Sequence, residues 1–168
     1  MHLVLMGVAG SGKSTIGQAL ASHVAAEFIE GDDLHSKSNL AKMASGTPLT
    51  DRDRLPWLDV CAQQLAHEPR SVLACSALKR SYRDRIRALV PDAVFIHLVG
   101  NERLLLERLA GRKDHFMKPK LLESQLATLE PLMRDEAGFE VEGDRSQEET
   151  VDHLFDRLVQ NYDLEAPQ

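Results

Sequence analysis

Residues 7–14 read Gly-Val-Ala-Gly-Ser-Gly-Lys-Ser, and this G-x-x-x-x-G-K-S spacing is typical of a loop that binds nucleotide phosphates. The backbone N–H groups of such a loop and the N-terminus of the helix behind it converge on one point and favour an anion there. Lys13 is expected to reach the β and γ phosphates, which makes it a catalytic candidate, and the Ser14 hydroxyl is expected to coordinate Mg²⁺. The motif therefore predicts binding of ATP or GTP. The predicted nucleotide contacts are Gly7, Val8, Ala9, Gly10, Ser11, Gly12, Lys13, Ser14 and Thr15.

The segments around this loop have the patterns that it needs. Residues 2–6 form a short apolar run suited to a buried parallel strand. After the loop, Ile16, Leu20 and Val24 recur every fourth residue and would share one helical face. Strand, glycine loop and helix in this order favour a phosphate site over a chance glycine-rich turn.

Strand-like and helical patterns alternate along the rest of the chain. Further strands are predicted at residues 26–30, 71–75, 93–99 and 139–142. Residues 34–54 are predicted to be a polar region, a helix to begin after Arg54 with Pro56 in its first turn, and another to run from Ser76 as N-cap to Leu89. The alternation predicts an α/β three-layer fold of the P-loop NTPase type, with a five-stranded parallel sheet, helices on both faces and a mobile lid. Ligands in such folds bind at the carboxyl ends of the strands.

The composition limits the class of protein. A chain of 168 residues with 43% hydrophobic and 27% charged residues fits one soluble globular domain. The net charge of −6 argues against nucleic acid as a partner. Cys61 and Cys75 lack metal-ligand spacing, and neither a signal-peptide pattern nor a membrane-spanning pattern is found. We therefore expect a cytoplasmic protein that binds neither nucleic acid nor membranes.

Two adjacent carboxylates follow the second predicted strand, where they would lie opposite the phosphate loop. Asp32 or Asp33 could accept the proton of an attacking hydroxyl, or hold Mg²⁺ through water, as carboxylates do in phosphoryl transfer. Asp32 is favoured as the base because it lies nearer the strand. The alternative is that both acids only cap a turn or a helix. His35 follows on the same loop, and a lone histidine is more often structural than a substrate contact.

A basic cluster follows the third predicted strand. Lys79 and Arg83 are four residues apart and would share one helical face near a helix N-terminus, where cations oppose the helix dipole. The arrangement suggests an anionic partner, such as a carboxylate or phosphate on the molecule that accepts the phosphoryl group. Arg52 and Arg54 could add to this cluster. The alternative is a solvated basic face.

A basic, irregular segment at residues 110–120 follows the fourth strand and its helix. This position predicts a lid that closes over the nucleotide, excludes water and supplies an arginine to stabilise transition-state charge. Arg108 and Arg112 are both candidates for that catalytic arginine, and the sequence leaves the choice between them open. A solubilising loop is the alternative.

Several further segments are more specific than the phosphate loop. They are Gly31-Asp32-x-Leu34-His35, Asn39, Lys42-Met43-x-x-Gly46-x-Pro48-Leu49, Asp51-x-Asp53-Arg54, Pro56-Trp57, Cys75-Ser76-Ala77-Leu78-Lys79, Tyr82-Arg83 and His115-Phe116. Together with the phosphate loop, they make the chain resemble the small P-loop gluconate kinase family through nearly its whole length. The resemblance implies ATP- and Mg²⁺-dependent phosphorylation of D-gluconate at its 6-hydroxyl in sugar-acid catabolism. It also implies a nucleoside-monophosphate-kinase-like fold, a single domain with a substrate-binding insert at about 33–58, and a possible homodimer.

The resemblance also implies roles for particular residues. The implied acceptor contacts are Asp32, His35, Arg54, Lys79, Arg83 and His115. The cations suit the carboxylate of gluconate, and Asp32 suits its primary hydroxyl as the base. Three positions depart from the family pattern, namely Asp33, Ser36 and Asp114. A second acid beside Asp32 could alter the pKa of that carboxyl, and Asp114 lacks the backbone freedom of the glycine usual at its position.

Other interpretations of the phosphate loop fit the rest of the sequence less well. A GTPase would need an N/T-K-x-D motif that reads guanine, and none is present. Shikimate kinase also acts on a carboxylate-bearing polyol, but it would want a Gly-Gly-Gly turn where this chain has Ser76-Ala77-Leu78. No base-reading pocket of a nucleotide kinase is identifiable. A regulatory module without an acceptor would need neither the basic cluster nor the lid.

Overall fold

The computed structural model describes residues 1–110, 119–143, 145–162 and 164. Five parallel strands form one sheet in the order β2-β3-β1-β4-β5. The strands are β1 His2–Met6, β2 Glu27–Glu30, β3 Ser71–Ala74, β4 Ala93–Val99 and β5 Gly138–Glu142. Helices cover both faces of this sheet, so the predicted α/β P-loop NTPase fold class is confirmed.

Seven α-helices lie in the described parts of the chain. They are α1 Lys13–His23, α2 Lys37–Ala44, α3 Asp51–His67, α4 Arg80–Leu89, α5 Glu102–Ala110, α6 Pro119–Thr128 and α7 Gln147–Tyr162. A single 3-10 turn, Gly31–Leu34, follows β2. Most of the predicted lid lies outside the described residues, and Arg112, Asp114 and His115 lie outside them too.

Apolar side chains fill both faces of the sheet. On one face, Leu3 and Leu5 of β1 belong to a buried cluster that includes residues of α1 and α7. On the other face, Val4 of β1 belongs to a second cluster that includes residues of α3 and α4. The strands are in register, since Leu5 pairs with both Ala74 of β3 and Ile96 of β4. The loops after β1, β2 and β3 therefore leave the sheet at the same edge, where a ligand site is expected.

The region predicted to be polar, residues 34–54, contains a helix and the start of another. Ser36 caps α2, and its hydroxyl accepts a hydrogen bond from the Asn39 N–H at 3.1 Å. Helix α3 begins at Asp51 rather than after Arg54, because Thr50 and Asp53 form a reciprocal capping box. Pro56 consequently lies inside α3 and not in its first turn, and its missing N–H leaves one helical hydrogen bond unmade.

Helix α4 begins later than predicted. Ser76 is not its N-cap, because residues 76–79 form a loop and the helix starts at Arg80, with Lys79 as the capping residue in extended backbone conformation. Ala77 in this loop has a left-handed backbone conformation, with φ of 42°. Ser76 instead presents its carbonyl oxygen to the N–H of Gly7 at 3.2 Å, which ties this loop to the phosphate loop.

In the described parts of the chain, no helix combines the length and the apolar character needed to cross a membrane.

Candidate active site

The phosphate loop connects β1 to α1 and leaves the start of that helix without a side-chain cap. Gly12 occupies the N-cap position in the left-handed region, with φ of 96°, so it offers no side chain to the first N–H groups of α1. Gly7 has φ of 142°, and a side chain there would lie 2.8 Å from the carbonyl oxygen of Leu98. Both glycines are therefore required by the backbone, and the open helix N-terminus is suited to an anion.

Polar groups line the phosphate loop. The ammonium of Lys13 donates a hydrogen bond to the carbonyl of Val8 at 3.0 Å, which holds it across the loop. The hydroxyl of Ser11 is buried and has no hydrogen-bond partner within the described residues. The N–H of Ala9 donates to the side-chain oxygen of Gln125 in α6 at 2.7 Å. Gln125 is a contact of the loop that the sequence interpretation missed, because it lies 116 residues further along the chain.

Two carboxylates stand at the end of β2, beside the phosphate loop. Glu30 accepts a hydrogen bond from the Ser14 hydroxyl, and burial raises the pKa of Glu30 because this bond offsets only part of the cost of desolvation. Asp32 follows in the 3-10 turn and is exposed. Gly31 between them allows the chain to pass β3, since a side chain at Gly31 would lie 2.4 Å from the carbonyl oxygen of Ala74. The sequence interpretation missed Glu30, although an acid at the end of a strand opposite the loop serine is a usable signal.

The side chains of Trp57, His35 and Asn39 pack together beside the 3-10 turn. The indole N–H of Trp57 in α3 donates to the carbonyl of Gly31 at 2.7 Å. The ring of His35 stacks on Trp57, with centroids 4.2 Å apart and planes 15° apart. Burial lowers the pKa of His35, and the nearby Arg54 lowers it further, although Asp32 opposes them. Burial therefore favours the neutral form of His35, and Asn39 contacts its ring at 3.3 Å.

The structure brings Lys79 and Arg54 to one aromatic ring. The Lys79 ammonium and the Arg54 guanidinium lie 5.4 Å and 5.9 Å from the ring centroid of Tyr82. Asp51 accepts hydrogen bonds from the Tyr82 hydroxyl and from Lys79, the latter at 3.1 Å, and these bonds lower the pKa of Asp51. The same contact with Asp51 raises the pKa of Lys79, which therefore stays charged. The result is a cationic patch next to the start of α3, partly neutralised by one exposed carboxylate.

Arg83 does not belong to this patch, contrary to the sequence prediction. Its side chain is fully buried, with 0% exposure, and points into the protein. The guanidinium binds both carboxylate oxygens of Glu136 at 2.7 and 2.8 Å. It also donates to four carbonyl oxygens, those of Ala77, Leu78, Glu130 and Pro131. Although burial alone would raise it, the pKa of Glu136 falls to about 2 because Arg83, the Met133 N–H and Arg87 stabilise the carboxylate.

Arg83 thus holds the 76–79 loop in place, and it does not reach the edge of the sheet. The sequence predicted that the basic start of α4 needs an anionic partner, and carboxylates of the chain itself fill that role. Glu136 pairs with Arg83, and Asp135 pairs with Arg80 at 2.7 Å. The side chain of Glu130 accepts the Arg80 N–H at 2.7 Å, in the place of a helix cap. Arg83 would therefore have to leave a satisfied buried ion pair to contact an acceptor, which is costly.

Arg108 lies on the other side of the phosphate loop. Its guanidinium donates to the carbonyl oxygen of Gly143 at 2.8 Å and to that of Gly10 at 3.4 Å. A cleft of about 430 Å³ opens beside it. The residues that line the cleft include Gly10, Ser11, Gly12, Thr15, Arg108 and Thr150. This cleft adjoins the loop on the β4 and β5 side of β1, whereas Asp32 and the Tyr82 ring follow β2 and β3 on the other side.

These features define a class of protein. A phosphate loop at the edge of a parallel sheet, with carboxylates after β2 and a cationic patch after β3, is the arrangement of a P-loop kinase that acts on a small molecule. A model of the shikimate kinase family matches residues 9–159.

Individual relatives narrow the class further. The chain is 43% identical over 157 residues to a gluconokinase of Gluconobacter oxydans, covering 91% of this chain and 88% of the relative. A solved gluconokinase structure from Sinorhizobium meliloti superposes with a TM-score of 0.83 at 41% identity, covering 96% of this chain and 97% of that one. An unliganded sugar kinase structure from Janibacter superposes with a TM-score of 0.89 at 39% identity, covering 99% and 98% of the two chains. The chain therefore belongs to the shikimate kinase family and, within it, to the gluconokinases.

Proposed function

We propose that the protein transfers the γ-phosphoryl group of ATP to the 6-hydroxyl of D-gluconate, giving 6-phospho-D-gluconate and ADP in sugar-acid catabolism. One observation carries this proposal: an exposed carboxylate, Asp32, and a cationic patch made by Arg54 and Lys79 lie at the same edge of the sheet. Gluconate has a hydroxyl at one end and a carboxylate at the other. The curated relatives at about 40% identity are gluconokinases, which supports the same acceptor.

On the nucleotide side, the proposal assigns the phosphates of ATP to the loop. Lys13 neutralises charge on the β and γ phosphates, and the N–H groups at the start of α1 bind their oxygens. Arg108 adjoins the nucleotide cleft, where it is placed to contact the phosphates or the ribose. Arg112 remains the second candidate for the transition-state arginine, on the strength of its place in the predicted lid.

The Ser14 hydroxyl would hold Mg²⁺, and the bound ion would neutralise negative charge on the phosphates of ATP. The Ser14 hydroxyl and the neighbouring Glu30 carboxylate are hard oxygen donors, which fit that ion. Among the described residues, no group of three or more His, Cys, Asp or Glu side chains is arranged to hold a metal ion. One or two protein oxygens completed by phosphates and water are the usual environment of Mg²⁺ in kinases, so the donors available here suit it.

On the acceptor side, the proposal assigns roles along the length of the gluconate chain. Asp32 accepts the proton of the 6-hydroxyl as it attacks the phosphorus, because a carboxylate within reach of that proton is the group such a transfer requires. Lys79 and Arg54 bind the carboxylate, and His35 binds a hydroxyl between the two ends. His115 is proposed as a further contact from the family resemblance alone. Residues 33–58 then form the acceptor-binding insert.

Two further proposals concern the setting of the enzyme. Cys61 and Cys75 are buried and unpaired thiols, which supports a reducing compartment such as the cytoplasm. A homodimer is proposed from the family resemblance.

The carboxylate site can be tested with a pair of acceptors that differ only at one end. In Lys79→Met, we expect the KM for D-gluconate to rise about 10- to 100-fold, because a charge-assisted hydrogen bond to the substrate is lost. The kcat/KM for D-glucitol, which has a hydroxymethyl group in place of the carboxylate, should change little. Steady-state ADP release with each acceptor measures both constants.

Arg85→Met is the matched control for this test. Arg85 also bridges α4 to a carboxylate of α3, binding Asp59 at 2.6 Å, but it is not part of the cationic patch. Its replacement should leave the KM for D-gluconate unchanged. Equal losses with D-gluconate and D-glucitol in Lys79→Met would show that Lys79 does not bind the carboxylate.

A further inference from the structure

The carboxamide of Asn39 has only one chemically acceptable orientation. Asn39 is 4% exposed, on the first turn of α2, and its Nδ2 lies 3.0 Å from the carbonyl oxygen of Asp53. A carbonyl oxygen can only accept a hydrogen bond, so the nitrogen of the carboxamide must face it. The same Nδ2 lies 3.3 Å from Nδ1 of His35. The amide therefore approaches the imidazole as a donor.

A donor at this position dictates where the imidazole proton lies. Nδ1 of His35 has to accept the hydrogen bond from Asn39, so Nδ1 must carry a lone pair. A neutral imidazole has one N–H, which then belongs to Nε2. Protonation of Nδ1 would place two donors against each other. The contact with Asn39 thus favours the neutral Nε2–H form.

The surroundings of the ring are fixed, so the donor–acceptor pairing is not averaged over many orientations. Trp57 of α3 stacks on one side of the ring, with its own N–H bound to Gly31. Asp53, whose carbonyl orients Asn39, is held by the capping box with Thr50 and by Lys42 at 2.7 Å. Asn39 is in turn anchored by its backbone N–H on Ser36. The 3-10 turn, α2 and α3 therefore all hold groups that fix the position of the His35 ring.

The charged groups that face His35 are Asp32 from the 3-10 turn and Arg54 from α3. They act in opposite directions, and burial outweighs the effect of Asp32. The neutral form required by Asn39 is thus also the form that burial of the ring favours.

We propose that Asn39 is a positioning residue that holds His35 as the Nε2–H tautomer, so that His35 donates a hydrogen bond to a hydroxyl oxygen of a polyol acceptor. The proposal deepens the function argued above and rests on it for the class of acceptor. A neutral donor binds the oxygen of a hydroxyl without adding a further cation to the patch of Arg54 and Lys79. Asn39 itself touches no substrate in this account and acts through the histidine.

The tautomer can be measured without any substrate by nitrogen-15 NMR of histidine-labelled protein. The chain has seven histidines, so the signals of His35 are identified by their loss in His35→Gln. At neutral pH, we expect a non-protonated Nδ1 and a protonated Nε2 in the unaltered protein. An Nδ1–H tautomer or an imidazolium at His35 would overturn the proposal.

Asn39→Asp tests the consequence of changing the partner. The carboxylate accepts a hydrogen bond, so the imidazole proton should move from Nε2 to Nδ1. Nε2 then loses the N–H that binds the acceptor, and the KM for D-gluconate should rise about tenfold with the KM for ATP unchanged. Ser38→Ala, an exposed neighbour on α2, should leave both the tautomer and the KM unchanged. A changed tautomer with an unchanged acceptor KM would overturn the link to the acceptor. Absence of turnover with D-gluconate in the unaltered protein would instead refute the proposed function, while the tautomer remains measurable.

Discussion

Replacement of Lys13 by methionine is expected to lower kcat/KM for phosphoryl transfer by about 10³-fold or more, because a single preorganised charge at the transferring group supplies several kcal/mol. The ammonium already spans the phosphate loop, where it binds the carbonyl of Val8 at 3.0 Å. It therefore needs little rearrangement to meet the β and γ phosphates, and the transition state gains most from it. Methionine keeps the length of the side chain but removes the charge. Coupled ADP release with D-gluconate measures the loss.

Two accompanying measurements separate a catalytic loss from a folding loss. The midpoint of thermal unfolding should change little in Lys13→Met, since Lys13 is not a core residue. Arg85→Met, which removes an exposed cation far along α4, should retain full activity. A Lys13→Met enzyme within tenfold of the unaltered kcat/KM would contradict the assignment of the γ-phosphate to this loop.

Replacement of Asp32 by asparagine is expected to lower kcat by at least ~10²-fold, with a smaller effect on the KM for D-gluconate, because general-base catalysis contributes about 10²–10⁴-fold. Asparagine preserves the shape and polarity of the side chain, but it cannot accept the proton of the 6-hydroxyl. The carboxylate is exposed at the end of β2, next to the phosphate loop, so a substrate hydroxyl can reach it. Steady-state kinetics with saturating ATP measure the effect.

The adjacent acid provides a matched control for this second prediction. Asp33 lines a groove along β2 together with Glu27, Glu30 and Gln64, and neither His35 nor Trp57 is among the residues that line it. We therefore expect Asp33→Asn to keep near-normal turnover. Turnover near the normal value in Asp32→Asn would contradict the role of Asp32 as base and would transfer that role to Glu30, the other carboxylate at the strand end.

The parts of the site that were predictable from the sequence are those fixed by short-range patterns. The phosphate loop needs particular residues within eight positions, and its flanking strand and helix are strongly patterned. Strand β4 was predicted with its observed bounds, 93–99, because it is a continuous apolar run. The identity of the acceptor, D-gluconate, was predicted from the family resemblance, and the gluconokinase relatives support it.

The helices around the acceptor region were predicted less well, for reasons visible in their residues. Helix α2 has only eight residues, and its one buried residue is the polar Asn39, so no stripe of buried apolar positions marks it as a helix. The start of α3 was predicted too late, after Arg54, because proline is common in the first turn of a helix and Pro56 was placed there. The Thr50–Asp53 capping box instead sets the start at Asp51. Arg83 looked like a free cation because its partner, Glu136, lies 53 residues away. Contacts of this range are not encoded in any local spacing.

The most direct test of the central claim is to identify the product by NMR. The protein is incubated with ATP, Mg²⁺ and D-gluconate carrying carbon-13 at position 6, and the products are observed by carbon-13 and phosphorus-31 NMR. The account predicts a phosphate monoester whose phosphorus couples to that labelled carbon, formed in step with ADP. Phosphate on another oxygen, or ADP formed without a phosphorylated acceptor, would contradict it.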